Sequence, residues 1–359
     1  MLLVMKIAGP RDSGRTVLRI FAATTILAFT LSGNAGSHSA AQIAVDLHPY
    51  GFPTATDIEG PRLGIFYLSK DRLALFFEQQ QPAEPKTKSN KFQVLIFNIE
   101  GQKTAETAVH GDPKALDITA GPDGGVAVGK AGQLDFHDSK LRLARSVPLP
   151  TATTAIEFDR QNNQLVIQGI DRKSAHRFAN FLDAKTLEQS ASLAYPINAR
   201  AVFGKDQLVY MVSGECKGAA RIVSSQRVWQ SIDNLPMCDS LAFIGNNELA
   251  YAFDGDLYIV DAAAKQVFRA RIPVGGTFES PALIGLSDDY TRLAISALAK
   301  KPVASGWPYH DQVLLYDLVS KRLIFRHALP QTPRAAALSP DGHQLATIEQ
   351  GTLVLIPVP

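Results

Sequence analysis

The stretch LSPDGHQLAT, residues 338–347, sets a Ser-Pro-Asp-Gly turn between two apolar runs. Asp, Asn and Gly at such a point tolerate the turn and left-handed conformations that a tight hairpin needs. The pattern returns as FYLSKDRLALFF (66–77), DITAGPDGGVAVG (117–129) and IEFDRQNNQLVIQG (156–169). It appears again as AVFGKDQLVYMV (201–212), AFIGNNELAYAF (242–253) and LIGLSDDYTRLAIS (283–296). The residues that open the second run are Leu73, Val126, Leu165, Leu208, Leu249, Leu293 and Leu345, spaced 53, 39, 43, 41, 44 and 52 apart. A fixed period of this size marks a chain built from one repeated supersecondary unit.

Most copies are followed by a second hairpin, as in VLIFNIEGQKTAETAV (94–109), DLYIVDAAAKQVFRARI (256–272) and VLLYDLVSKRLIFRHAL (313–329). Its first run ends in Asn98, Asp183, Asp261 or Asp317. A side-chain oxygen there can accept from the backbone N–H two residues on and start the turn. One such residue per repeat, never clustered, argues for turn formers rather than metal ligands. Four short strands in about 40–45 residues make one β-propeller blade.

The turn LSPDGHQLA and the step LLYDL resemble the WD40-like, PD40-type repeats, as found in TolB-like and YVTN-type exported bacterial propellers. The resemblance implies an all-β chain of seven four-stranded antiparallel blades. The seventh repeat supplies only three strands, and open sheet edges invite association. The missing strand is expected from QIAVDLHPY, residues 42–50, closing the ring as the outermost strand.

Ahead of it lies a basic stretch (Lys6, Arg11, Arg15, Arg19), the apolar run IFAATTILAFTL (20–31) and small residues ending in Ser39-Ala40-Ala41. This order reads as a secretory signal peptide, residues 1–41, before one propeller domain, 42–359. The apolar run is too short to span a bilayer, so no transmembrane segment is expected after cleavage. No cysteine follows it to carry a lipid, and the expected location is the periplasm or outside the cell. The formal charge of +2 comes largely from the leader, which leaves no basic footprint for nucleic acid. Cys216 and Cys238, the only cysteines, fit one disulfide in an exported chain, with two buried thiols as the alternative.

In an antiparallel meander of strands a to d, the a–b and c–d turns share one face and the b–c and d–a connections share the other. The two longest repeats owe their length to b–c insertions, EQQQPAEPKTKSN (78–90) and LAKKPVASGWPYH (298–310). Loop growth on a rigid scaffold is where binding accumulates. Trp307, Tyr309 and His310 in the second insertion, with Arg334 in the neighbouring d–a connection, are the candidate contacts. The plainer alternative is that GWPYH packs over its blade. No His-Glu-x-x-His, Gly-x-Ser-x-Gly or complete P-loop motif occurs, and no two carboxylates can be placed together from the sequence. The expectation is a monomeric, non-enzymatic propeller, without metal or cofactor, that binds a protein, peptide or glycan. A hydrolase or lactonase working in the central channel is the alternative.

Overall fold

The structure is a computed structural model. It describes residues 41–53, 63–79, 90–150 except 114, 153–171, 173–197, 199–204, 207–212, 218–224, 230–235, 240–244, 248–253, 256–261, 265–273, 282–297, 312–329 and 335–359. After a short strand β1 (Ile43–Asp46), the first blade is β2 (Leu63–Ser69), β3 (Arg72–Glu78), β4 (Asn90–Asn98) and β5 (Lys103–Gly111). The second is β6 (Asp117–Ala120), β7 (Val126–Lys130), β8 (Gln133–His137) and β9 (Leu143–Pro148). The third is β10 (Thr153–Asp159), β11 (Gln164–Asp171), β12 (His176–Asp183) and β13 (Gln189–Pro196). The fourth is β14 (Ala199–Gly204), β15 (Gln207–Val212), β16 (Gly218–Ser224) and β17 (Gln230–Leu235). The fifth is β18 (Ser240–Ile244), β19 (Glu248–Phe253), β20 (Asp256–Val260) and β21 (Gln266–Arg271). The sixth is β22 (Ala282–Leu286), β23 (Arg292–Ala297), β24 (Gln312–Asp317) and β25 (Arg322–Ala328).

These are four-stranded antiparallel blades of a β-propeller, each made of four consecutive strands. Six blades, not seven, are built that way. The last repeat contributes β26 (Ala335–Leu338), β27 (Gln344–Glu349) and β28 (Thr352–Pro357), and their sheet is composite, with the order β1-β28-β27-β26. Strand β1 pairs antiparallel with β28 from Ile43↔Leu355 to Asp46↔Thr352. It is shorter than the expected 42–50. Pro49 has no N–H to give a ladder, the Asp46 carboxylate takes the His48 N–H at 3.0 Å, and His48–Tyr50 turns as a 3₁₀ helix.

All seven residues that open the repeats' second runs fall at the first or second position of the second strand of a sheet. Leu73, Val126, Leu165, Leu293 and Leu345 are buried there. The core lies between sheets rather than within one. One apolar cluster joins Leu75 and Phe97 of the first blade to Ile348 and Leu355 of the composite sheet, with Leu47 and Phe52 beneath. Others join the first blade to the second, the second to the third, the third to the fourth, the fifth to the sixth, and the sixth to the composite sheet. The first strands stand innermost, β2 beside β6 and β26, and β22 beside β18 and β26.

The repeated turn is held by one serine. Ser339 is fully buried, and its Oγ donates to Asp341 Oδ1 at 2.6 Å while accepting the Gln344 N–H at 2.9 Å. Ser287 does the same for Asp289 and Arg292 in the sixth blade, at 2.6 and 2.9 Å. Gly342 sits at φ +71°, and a Cβ there would meet the Arg292 stem at 2.5 Å. The c–d turns use the expected side chains with a longer reach. Asp183 Oδ1 accepts two and three residues on, Asp317 three, and Asn98 and Asp261 four.

Replacing Ser339 by Ala leaves the half-buried Gln344 N–H without its acceptor, while the exposed Asp341 keeps the His343 N–H. The expected loss is about 1–3 kcal/mol of unfolding free energy, read from urea melts. An unchanged midpoint would show that the turn holds without its serine.

Candidate functional site

The inner strands enclose a cavity of about 900 Å³ at the a–b end of the ring. Its polar wall begins with the turn after β10. Asp159 Oδ1 takes the Asn162 N–H at 3.2 Å, Asn162 Nδ2 donates to Asp159 Oδ2 at 2.6 Å, and Asn163 adopts φ +49°. Asn tolerates that left-handed conformation. The turn so formed carries Arg160 at the cavity wall.

Arg160 crosses between blades. Its Nη2 donates to the carbonyl of Tyr67 in the first blade, and its Nη1 stands 3.8 Å from Asp288 Oδ2 in the sixth. Gln161 Nε2 donates to the Asp288 carbonyl at 2.5 Å, and the Asp288 N–H donates to the Pro340 carbonyl of the composite sheet at 2.7 Å. Tyr67 is buried, and its hydroxyl donates to Gln344 Oε1 at 3.1 Å. Blades far apart in sequence are therefore braced together at one mouth of the channel. Burial pulls the Arg160 guanidinium down against the opposing Asp288 charge, and burial pushes the Asp288 carboxyl up against Arg160.

Glu157 stands on β10, two residues before this turn, and lines the same cavity. Water in the channel reaches its side chain, yet protein surrounds it. Desolvation, followed by the charges of Asp159 and Asp117, pushes its carboxyl up to about 7. Asp117 is fixed nearby, with Oδ2 accepting the Ile156 N–H at 2.8 Å. Among the described residues no donor reaches the Glu157 side chain, and no group of three or more His, Cys, Asp or Glu is arranged to hold a metal ion. Such a carboxyl can exchange a proton near neutrality or receive a cation.

A raised carboxyl pKa means that the folded chain binds more protons than the unfolded one between about 4.5 and about 7. Stability from this group therefore falls as pH rises through that window. Glu157→Gln is expected to raise the melting temperature above pH 7 and leave it unchanged below pH 4.5, checked by thermal melts across that range. An equal shift at every pH would place the effect elsewhere.

Trp307, Tyr309, His310 and Arg334 lie outside the described residues, as do Cys216, Cys238, Trp229 and residues 1–40. The residues that the fold does bring together, Glu157, Asp159, Arg160 and Asp288, come from turns more than 120 positions apart in their two halves. They sit on the a–b face, opposite to the face the insertions favour. The signal available was that all a–b turns of a ring meet at one mouth, where FDRQNN and LSDDYT carry the charges. Among the described residues no helix is long and apolar enough to cross a membrane.

No family model matches the chain, and neither does any curated protein. Solved structures do. A chain of the mitotic checkpoint complex aligns with a TM-score of 0.54 at 15% identity, covering 93% of this chain and 99% of that one. Hydrazine synthase of Kuenenia stuttgartiensis gives 0.55 at 15%, covering 84% and 97%. The WD40 domain of Toxoplasma gondii coronin gives 0.56 at 12%, covering 82% and 81%. At these identities the likeness is one of fold, and the fold is a WD40-type β-propeller.

Proposed function

We propose that this chain is an exported, non-enzymatic interaction propeller that binds a protein, peptide or glycan through its b–c/d–a face. The observation that carries the reading is the Arg160 brace. One mouth is tied across the ring by Arg160, Gln161 and Asp288, which suits a rigid scaffold. In sequence, the two insertions fall between β3 and β4 and between β23 and β24. Their blades flank the composite sheet, since β26 packs on both β2 and β22. We read that sheet as the seventh blade, with β1 as the strand that latches it, on the strength of the β1–β28 pairing. Extra loop length gathered around one seam of a stiff ring is a common way to build a docking surface. Propellers of this fold commonly serve as protein-interaction scaffolds, and the checkpoint complex is by its name an assembly. Export, with a Cys216–Cys238 disulfide and a periplasmic or extracellular location, belongs to the same reading and rests on the leader-like residues 1–41.

The test is selection from a displayed peptide library and a glycan array, followed by titration of the selected ligand. The Trp307→Ala/Tyr309→Ala double variant is expected to bind about tenfold or more weakly, a loss of about 1.4 kcal/mol. A control change at the exposed Leu143 of the second blade, Leu143→Ser, leaves binding unchanged. Equal affinity in the double variant would remove these residues from the surface.

A further inference from the structure

The cavity at the a–b mouth has features that the loop-face reading does not use. Its lining carboxylates Glu157, Asp159, Glu248, Asp288 and Asp289 outnumber the lining cations Arg160 and Lys321. Both cations are committed. Arg160 donates to the Tyr67 carbonyl, and Lys321 Nζ donates to the Val267 carbonyl at 2.9 Å. Three carboxylates are committed as well, Asp159 to Asn162, Asp288 to the Arg160 pair, and Asp289 to Ser287 and Thr291. Glu157 is not among them. No donor among the described residues meets its carboxyl, although it is enclosed by the ring and opens into a volume large enough for an organic molecule. Phe203 and Tyr290 line the same cavity, and aromatic faces attract cations. An unpaired carboxyl, aromatic wall and acidic surplus together exclude an anion and favour a positive group on an apolar stem.

We propose that this cavity binds an organic cation, a guanidinium or ammonium on an aliphatic stem, received by Glu157. The site stands on the face opposite to the loop surface and does not depend on it. Because the Glu157 carboxyl titrates near neutrality, occupancy follows pH. The charged and titratable groups facing it are Asp159 on its own strand, Asp117 from β6, and Tyr195 from β13, whose hydroxyl also feels Arg177. Arg160 and Asp288 close the same mouth. The two aspartates strengthen attraction for a cation and hold the Glu157 proton on at acid pH.

The experiment is calorimetric titration of the full chain with n-butylguanidinium, beside its neutral isostere n-butylurea. Saturable one-site binding of the cation is expected, about tenfold tighter at about pH 8 than at about pH 5.5, with no binding of the urea. Glu157→Gln, nearly isosteric, is expected to weaken binding about tenfold and to flatten its pH dependence. Carboxyl carbon NMR of the unaltered chain supplies a readout that needs no variant. The Glu157 titration midpoint is expected to fall when the cation is added. The proposal is overturned if the cation does not saturate, if the urea binds equally well, or if the Glu157 midpoint stays still. Occupation by calcium or magnesium ions alone, with the organic cation inert, overturns it too. None of these results touches Trp307 or the loop face, so this site and the docking surface can fail separately.

Discussion

A blade of four short strands has two apolar faces and no means of covering either by itself. Among the described residues the apolar clusters are shared between two neighbours, as Leu75 and Phe97 are shared with Ile348 and Leu355. Burial at roughly 25 cal/mol per Å² therefore rewards assembly of adjacent sheets rather than formation of any one of them. The arrangement of turns, channel and seam follows from that dependence. Polar ties then fix the angle between neighbours. Tyr316 donates its hydroxyl to the Arg271 carbonyl across the fifth and sixth blades, and Arg145 reaches the Lys185 carbonyl across the second and third.

The channel mouth shows what such an assembly does to charge. Asp159 and Glu157 are ordinary surface residues in their own hairpin, two positions apart. Placed at the centre of a ring, they face the carboxylates of Asp117 and Asp288 from other hairpins, and water is confined. Desolvation then leads the shifts at Glu157, Arg160 and Asp288. Contrast Asp183, which lies open to solvent at the rim. Its carboxyl is held down by the N–H groups of Thr186 and Lys185, because there the hydrogen bonds outweigh desolvation. The same residue type, used to start a turn in one place and to face a pore in another, behaves oppositely.

This contrast explains how much could be read from the sequence. The hairpin landmarks were legible because each is local: a serine, an aspartate and a glycine act within six residues, and Leu345 is buried as the second residue of its strand. The c–d aspartates were legible for the same reason, although their reach of up to four residues was not. The N-terminal strand is shorter than its sequence suggests, since the Asp46–His48 contact and Pro49 stop it after four residues. The brace at the mouth could not be read. Arg160 meets Tyr67 and Asp288 only because the repeats bend round an axis, and nothing in FDRQNN announces a partner 128 residues later.

The pairing of Ile43 with Leu355 has a kinetic side. Six hairpin pairs can form locally, each finding its partners within a few dozen residues. Strand β1 must instead wait, unpaired, until β28 is in place. Its contact spans the longest loop between paired strands among the described residues, and the entropy cost of such a loop grows only slowly with length. Delay, more than free energy, is what that strand imposes. Until they meet, the folding chain keeps one adhesive edge at β1 and another at β28.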